Sequence, residues 1–236
     1  KYKTNDLYKV EITKANNLLD KINSDIKFYK LLENLFFGLS LGSILFIAAV
    51  GLAITFGVMG VINLAHGEMI MIGAYTTYVT QLIFPQFIEY SLFIALPLSF
   101  LIAGLIGVLI ERLVIRHLYG RPLETLLATF GISLFLQQLV RSIFSPINMP
   151  VISPQWMSGM FNVHPALSLS YGRFYILIFS IIVFIALLIL LRKSHFGVEI
   201  RAVMQNRPMA RAMGIKTKWI DSMTFGLGSG IAGIAG

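Results

Sequence analysis

Residues 35–110 contain no lysine and no arginine, and their only acidic residues are Glu68 and Glu89. The whole chain is 56% hydrophobic and 13% charged, whereas soluble domains carry about 25% charged residues. A stretch of 76 such residues can cross a bilayer about three times, at roughly 20 residues per crossing. These features exclude an ordinary soluble domain. They predict an all-α fold, in which a polytopic bundle of helices spans a membrane.

The apolar runs predict about five complete spans and a truncated sixth. The complete spans are expected near residues 35–58, 69–84, 92–115, 123–144 and 174–191. The sixth begins near residue 223 and is expected to be cut short by the end of the sequence. Residues 35–236 are therefore predicted to form one transmembrane domain that is incomplete at its C-terminus.

Residues 1–34 differ in composition from the rest of the chain. Apolar residues, among them Leu18, Leu19 and Ile22, recur at roughly helical spacing between charged residues. This pattern predicts an amphipathic segment outside the membrane. A plain tail, or part of a larger soluble domain, would explain the same pattern equally well.

The basic residues predict the orientation of the bundle. The net charge is +8, and residues 192–218 alone hold seven lysines and arginines. By the positive-inside rule this loop and the loop with Arg112, Arg116 and Arg121 are cytoplasmic. Alternation then places residues 145–172, a polar segment with several prolines that is predicted to be an extramembrane loop, and residues 1–34 outside. Because the basic residues lie between spans, they do not indicate a nucleic-acid partner.

Three polar residues lie close to the predicted membrane interior, namely Asn63, His66 and Glu68. Ionisable residues at such depth are costly and usually face a cavity or a partner. Neighbouring glycines would permit a broken helix, which membranes tolerate where the backbone lines a cavity. The segment is therefore a candidate substrate pathway or gate. An interfacial turn in which His66 caps a helix is an equally good interpretation.

The predicted fourth span carries a polar residue at every fourth position: Thr125, Thr129, Ser133, Gln137 and Arg141. Steps of four turn the helix about 40° past a full turn, so these residues form a slowly winding stripe. Hydroxyls and amides in a row could pass a small polar solute along by exchange of hydrogen bonds. The same residue types also join helices in bilayers, which is the competing interpretation.

Glycines indicate where helices pack closely. Gly38 and Gly42 have the small-xxx-small spacing, and Gly226, Gly230 and Gly233 lie in the last apolar run. These residues are candidates for close helix packing. In the basic loop, Pro208 is expected to open a short helix and Gly214 to end one. A short helix there could rest on lipid headgroups or fit into a partner protein.

The sequence lacks the residues that several classes of function require. The sequence has no cysteine, so it has no disulfide framework and no thiolate metal site. His66-Gly67-Glu68 is not a zinc-protease motif, and we predict no metal site and no catalytic residue. The sequence has no phosphate-binding loop of the GxxxxGKS type either. We therefore expect a transport subunit that is not itself an enzyme and binds no cofactor.

Two stretches resemble the branched-chain amino-acid ABC permease family: residues 51–68, GLAITFGVMGVINLAHGE, and residues 212–215, AMGI. Within that family, residues 118–133, 155–159 and 224–236 are similar to the urea-transport branch. The resemblance covers residues 35–236. It implies a multi-pass permease subunit of the bacterial inner membrane that imports urea or short amides.

The resemblance also implies partners. These are a second, homologous permease, cytoplasmic ATPase subunits that bind ATP, a periplasmic substrate-binding protein and the surrounding membrane lipid. Residues 199–215 resemble the region that docks onto the ATPase. The candidate coupling residues are Glu199, Arg201, Arg207, Arg211 and Gly214.

Two alternatives remain for the transported solute. Urea is neutral and rich in hydrogen-bonding groups, so a path of Thr, Ser, Gln and Asn suits it. A branched-chain amino acid would require fixed charges or helix ends, and His66, Glu68 and Arg141 are the interior candidates. A stand-alone passive channel is a third interpretation, which the coupling-like loop disfavours.

Overall fold

A computed structural model describes residues 2–147, 149–164 and 167–236. Its α-helices are α1 (Tyr2–Met59), α2 (His66–Ile83), α3 (Ser91–Leu113), α4 (Pro122–Phe144), α5 (Tyr171–Lys193), α6 (His195–Gln205), α7 (Arg207–Ala212) and α8 (Thr217–Ala235). Short 3₁₀ turns cover Pro85–Tyr90, Ile115–Leu118 and Gln155–Met157. Strands β1 (Met160–His164) and β2 (Leu167–Ser170) form an antiparallel hairpin.

The prediction of a transmembrane helical bundle is confirmed, but the number of apolar spans differs. In the described residues, four helical segments are long and apolar enough to cross a membrane: Asn16–Met59, Pro85–Leu113, Pro122–Phe144 and Tyr171–Lys193. They correspond to the predicted first, third, fourth and fifth spans. Helices α2 and α8 are shorter or more polar, with 18 and 19 residues, and they lie against the other helices of the bundle.

Helix α8 is the centre of the packing. It lies against α1, α2 and α3, and its Ile220 and Phe225 are completely buried. Its glycines allow backbones to meet: a Cβ on Gly228 would lie 2.6 Å from the carbonyl oxygen of Gly51 in α1. Close approach of this kind supplies van der Waals contact where lipid provides no hydrophobic drive between helices.

The two predicted cytoplasmic loops meet at one end of the bundle. The Arg116 side chain donates to the hydroxyl of Ser222 at 2.8 Å, and the guanidinium carbon of Arg207 lies 4.2 Å from the centre of the Tyr119 ring. At the opposite end the Gln81 amide donates to the carbonyl of Ile152 at 2.8 Å. The structure therefore groups the loops as the charge pattern predicts.

Two local features were not predicted from the sequence. The segment 145–172, predicted as an extramembrane loop, contains the β1–β2 hairpin. Residues 2–34 continue directly into the first span as one 58-residue helix, about 87 Å long at 1.5 Å per residue. Leu18, Leu19 and Ile22 in this extension are all more than half exposed, so they pack on no described part of the chain.

Candidate functional site

The chain between α1 and α2 is a non-helical segment, residues 60–65, in which exposed and buried residues alternate. Helix α1 ends at Met59, and Gly60 takes a left-handed φ of 65° that favours glycine. Asn63 and His66 are 4% and 7% exposed. The side-chain oxygen of Asn63 accepts a hydrogen bond from the Ala65 amide at 3.0 Å. The predicted break in the helix is therefore present, and polar side chains support it.

Helix α2 begins at His66 within the bundle. The His66 Nε2–H donates to the carbonyl of Ala48 at 2.9 Å, and Ala48 precedes the end of α1 at Met59 by about 16 Å of helix. The first turn of α2 thus lies at membrane depth. A helix N-terminus carries a partial positive charge and unpaired N–H groups, which favour anions.

Glu68, in that first turn, joins α2 to the polar stripe of α4. The Ser133 hydroxyl donates to Glu68 Oε1 at 2.8 Å, and the Gln137 amide donates to the same oxygen at 2.7 Å. Ser133 is buried, whereas Glu68 and Gln137 are half-buried. Three of the residues that the sequence singled out therefore form one cluster, although 65 residues separate Glu68 from Ser133.

The N-terminal part of the α4 stripe is bonded to the non-helical residues 60–65, which we call the broken segment. The Thr129 hydroxyl accepts a hydrogen bond from the Leu64 amide at 3.2 Å and donates to Leu126 of its own helix at 3.0 Å. Thr125 instead bonds back to the carbonyls of Arg121 and Leu118. Thr129 therefore joins α4 to the non-helical segment before α2. The bonds of Thr125 go to residues just before it, at the start of its own helix and in the preceding turn.

Two buried polar atoms near the helix break have no hydrogen-bond partner in the described part of the chain: Asn63 Nδ2 and His66 Nδ1. Nδ2 is a donor. With the Nε2–H committed to a carbonyl, Nδ1 of a neutral imidazole is an acceptor. Buried polar atoms normally have partners, so unpaired ones at this position are available to a solute or a water molecule.

The candidate coupling residues lie at the basic end of the bundle, and most of them bond within the chain. Arg201 donates to the Leu191 carbonyl, Arg207 pairs with Asp221, and Arg211 donates to Thr217 at 3.4 Å. Gly214 has a φ of 88° and follows the end of α7 as predicted. Arg201 therefore joins α6 to α5, and Arg207 and Arg211 join α7 to α8. Glu199 is half-buried on α6.

The sequence analysis missed a row of methionines on the same helices. Met204, Met209 and Met213 are 52%, 60% and 78% exposed. They give the basic end an apolar, adaptable surface, although the methyl group of Met204 lies against Gly57 of α1. In the sequence, the signal for this surface was the presence of three methionines within ten consecutive residues of the basic loop.

A buried ion cluster was also missed. Glu111 is 1% exposed, and Arg116 donates to both of its carboxylate oxygens, at 3.3 and 3.1 Å. The Ser222 hydroxyl donates to Glu111 as well. This network fastens α3 to α8 at the basic end. In sequence Glu111 looked like the polar end of an apolar run.

The glycines of the two predicted packing motifs have different surroundings. A Cβ on Gly226 would lie 3.2 Å from the Gly104 carbonyl, and one on Gly230 would lie 2.8 Å from the Phe100 carbonyl. Gly233 likewise approaches Ser99. In contrast, a Cβ on Gly38 or Gly42 would meet no atom within 4 Å. The α8 glycines thus face α3, whereas the α1 pair faces away from this chain.

The polar cluster has no metal-binding character. Over residues 2–147, 149–164 and 167–236 no three His, Cys, Asp or Glu side chains come together in a way that could hold a metal ion. What the cluster offers is one carboxylate, a helix N-terminus, and amide and hydroxyl groups. Such a set can bind a small polar or zwitterionic solute through hydrogen bonds and charge.

Comparison with known proteins identifies the family. Residues 34–236 match the family described as the permease component of branched-chain amino acid transport systems. The high-affinity branched-chain amino acid permease protein LivH of Salmonella typhimurium is 31% identical over 228 residues, which cover 89% of this chain and 70% of that protein. No solved structure matches the chain.

Two further relatives carry similar descriptions. BraD of Pseudomonas aeruginosa is 28% identical over 88% of this chain and 70% of its own length. LivH of Escherichia coli K12 is 30% identical over 89% of this chain and 70% of its own length. These relatives are described as branched-chain amino acid permeases, so they favour that alternative over the expected urea importer. The chain belongs to the branched-chain amino acid ABC permease family and is a membrane-embedded transport subunit.

Proposed function

We propose that this chain is a permease subunit of an ATP-driven importer that carries branched-chain amino acids across the bacterial inner membrane. The observation that carries the proposal is the Glu68 cluster. A carboxylate in the first turn of a helix that starts at membrane depth is bonded to Ser133 and Gln137 of a second helix. This arrangement occurs in a chain whose relatives are described as amino acid permeases.

The chemistry of the cluster suits a zwitterion. An amino acid carries a carboxylate and an ammonium group that must both be met when water is removed. The N-terminus of α2 favours the carboxylate, and the Glu68 side chain favours the ammonium group. Urea is neutral, so it requires neither the helix N-terminus nor the carboxylate. The exposed apolar side chains of α4 near the cluster, Phe130 and Leu134, would suit an aliphatic side chain.

The proposal includes partner proteins. ATP hydrolysis is assigned to separate cytoplasmic subunits, and substrate delivery to a periplasmic binding protein. A second permease would complete the pathway. We place the ATPase contact on the exposed methionines Met204, Met209 and Met213, because Arg201, Arg207 and Arg211 already bond within this chain. An adaptable apolar surface fits docking into a groove.

The substrate is tested by uptake of labelled leucine and labelled urea, side by side. Cells would express the complete transporter with all partner subunits, with or without this gene. We expect leucine uptake that requires both the gene and ATP. Urea is the competing substrate because residues 118–133 and 155–159 resemble the urea branch. ATP-dependent urea uptake without leucine uptake would overturn the substrate assignment, and gene-dependent flux without ATP would overturn the pump.

The coupling contact is tested by Met209→Ser with Met213→Ser in the complete transporter. We expect substrate-stimulated ATP hydrolysis to fall at least fivefold because the ATPase loses its apolar docking surface. The matched control is Met160→Ser, since Met160 is 67% exposed on the hairpin at the other end. Unchanged ATP hydrolysis and unchanged ATPase retention on purification would contradict this placement.

A further inference from the structure

A groove at the basic end lies between the C-terminal turn of α3 and the start of α8. Its volume is about 670 Å³, and its lining includes Arg112, Arg116, Arg211, Lys216 and Lys218. Trp219 completes one wall. Basic side chains that line one concave surface raise the local positive potential, which attracts anions.

Only part of this positive charge is neutralised within the chain. Glu111, bonded to Arg116, is the single acidic residue that pairs with a lining residue in the described part of the chain. The exposed side chains of Arg112, Lys216 and Lys218 take part in none of the ion pairs there. The groove thus keeps a net charge of about +4 beside a neutral helix bundle, which favours a ligand with negative charge.

An exposed apolar strip on α3 ends beside Arg112, which lines the groove. Leu101, Leu105, Leu109 and Leu113 follow one another at every fourth position of α3, and each is more than half exposed. Arg112 lies next to the last of them. Trp219 is 47% exposed, and tryptophan is enriched where proteins meet the headgroup region. A headgroup site and an acyl-chain track therefore adjoin each other.

We propose that this groove binds the headgroup of an anionic phospholipid, with an acyl chain along the α3 leucine strip. Basic pockets between helices on the cytoplasmic side suit such headgroups. The inference does not depend on the transported substrate, because the groove lies at the basic end and none of the Glu68 cluster residues lines it. An acidic partner protein would explain the charge but not the adjoining leucine strip.

The test uses the complete transporter, with its partner permease and ATPase subunits, in phosphatidylcholine vesicles. Brominated phosphatidylglycerol or brominated phosphatidylcholine is added in increasing amounts, and quenching of Trp219 fluorescence is measured. The Trp219 signal is taken as the difference between the unaltered complex and a Trp219→Phe complex. We expect phosphatidylglycerol to quench at a clearly lower mole fraction than phosphatidylcholine.

The key variant combines Arg112→Gln with Lys218→Gln. Each basic residue near a membrane surface favours anionic lipid by about fivefold, so the preference for phosphatidylglycerol should fall at least fivefold. The matched control combines Arg192→Gln with Lys193→Gln, which removes one arginine and one lysine near the same end but outside the groove. The control should keep the preference.

Three results would overturn the proposal. The first is equal quenching by the two lipids, or a preference that the groove variant leaves unchanged. The second is loss of the phosphatidylglycerol preference in millimolar inorganic phosphate, which would make the groove a site for a soluble anion. The third is quenching that appears only after the ATPase subunits are removed, which would show that a protein occupies the groove.

Discussion

The α8 side and the α4 side of the bundle are held together in different ways. Helix α8 touches α1, α2 and α3 through glycines whose backbones meet, as at Gly228 and Gly51. Helix α4 reaches α2 and the broken segment through the polar groups of Thr129, Ser133 and Gln137, together with the ring of Phe144, 4.8 Å from that of Tyr75. Close backbone packing leaves little freedom to shift, whereas hydrogen bonds to a single carboxylate can be exchanged for bonds to a solute.

This contrast assigns different tasks to the two sides. The α8 side is the scaffold, because any displacement would separate many close contacts at once. The α4 side is the proposed substrate path, because its polar residues contact the break between α1 and α2. The predictions below test this division, beginning with the scaffold.

The largest effect is expected for Gly73→Leu on α2. A Cβ at this position would overlap the carbonyl oxygen of Gly233 in α8, so the two helices could not approach. We expect a loss of about 3 kcal/mol or more in stability, seen as loss of the monodisperse peak in size-exclusion chromatography. Gly131→Leu on α4 is the control, since a Cβ there meets no atom within 4 Å. Equal losses in both variants would remove the distinction between the two sides.

A smaller scaffold effect is expected for Arg116→Ala. The variant leaves Glu111, 1% exposed, without its ionic partner, and an unpaired buried charge costs about 3 kcal/mol. Thermal unfolding in detergent should show a lower midpoint than for Arg112→Ala, which removes an unpaired surface arginine. Adding Glu111→Gln to Arg116→Ala should recover part of the loss. A double variant no more stable than Arg116→Ala would contradict the ionic explanation.

On the α4 side, Gln137→Leu should reduce transport more than stability. The variant removes one of the two hydrogen bonds to Glu68, and we expect about tenfold slower leucine uptake with at most about 1 kcal/mol lost in stability. Gln138→Leu is the matched control, because Gln138 is the exposed neighbour. If the assembled complex were lost while each remaining complex transported normally, the stripe would instead join helices.

Thr129→Val should act mainly on the broken segment. It removes the acceptor for the Leu64 amide, and the loss of one such hydrogen bond costs about 1 kcal/mol. Hydrogen exchange at residues 60–65 should become faster. Thr77→Val is the control, since Thr77 bonds only to Gly73 of its own helix. Unchanged exchange in the Thr129 variant would show that this bond does not hold the segment.

The smallest effect is expected in the N-terminal extension. Leu19 is 55% exposed, so Leu19→Ser should change the stability of the isolated chain by less than about 0.5 kcal/mol. Chemical denaturation in detergent provides the measurement. A larger loss would show that this face of the extension is covered in the folded protein.

Much of this fold could be predicted from the pattern of residue types along the sequence. Apolar length located the long spans, and glycines around Asn63 and His66 indicated the break before α2. The hairpin was missed, because the polar, proline-containing segment 145–172 was interpreted as a loop. The alternation in Leu167-Ser168-Leu169-Ser170 was the available signal for a strand.

The site was only partly predictable. The spacing of four along α4 placed Thr125, Thr129, Ser133 and Gln137 on one stripe, and the structure keeps the first three buried. It could not show that Ser133 and Gln137 share the carboxylate of Glu68, because that contact depends on how α2 and α4 are arranged in space. The buried position of Glu111 was hidden for the same reason, since its burial comes from α8.

The central claim is that Glu68 is part of the path for an amino acid. The most direct measurement is ATP-dependent uptake of labelled leucine by proteoliposomes that hold the complete transporter with Glu68→Gln. The amide keeps the size and the acceptor oxygen but removes the charge, so we expect uptake to fall at least tenfold while assembly and basal ATP hydrolysis are retained. Leucine uptake at the unaltered rate in this variant would contradict the account.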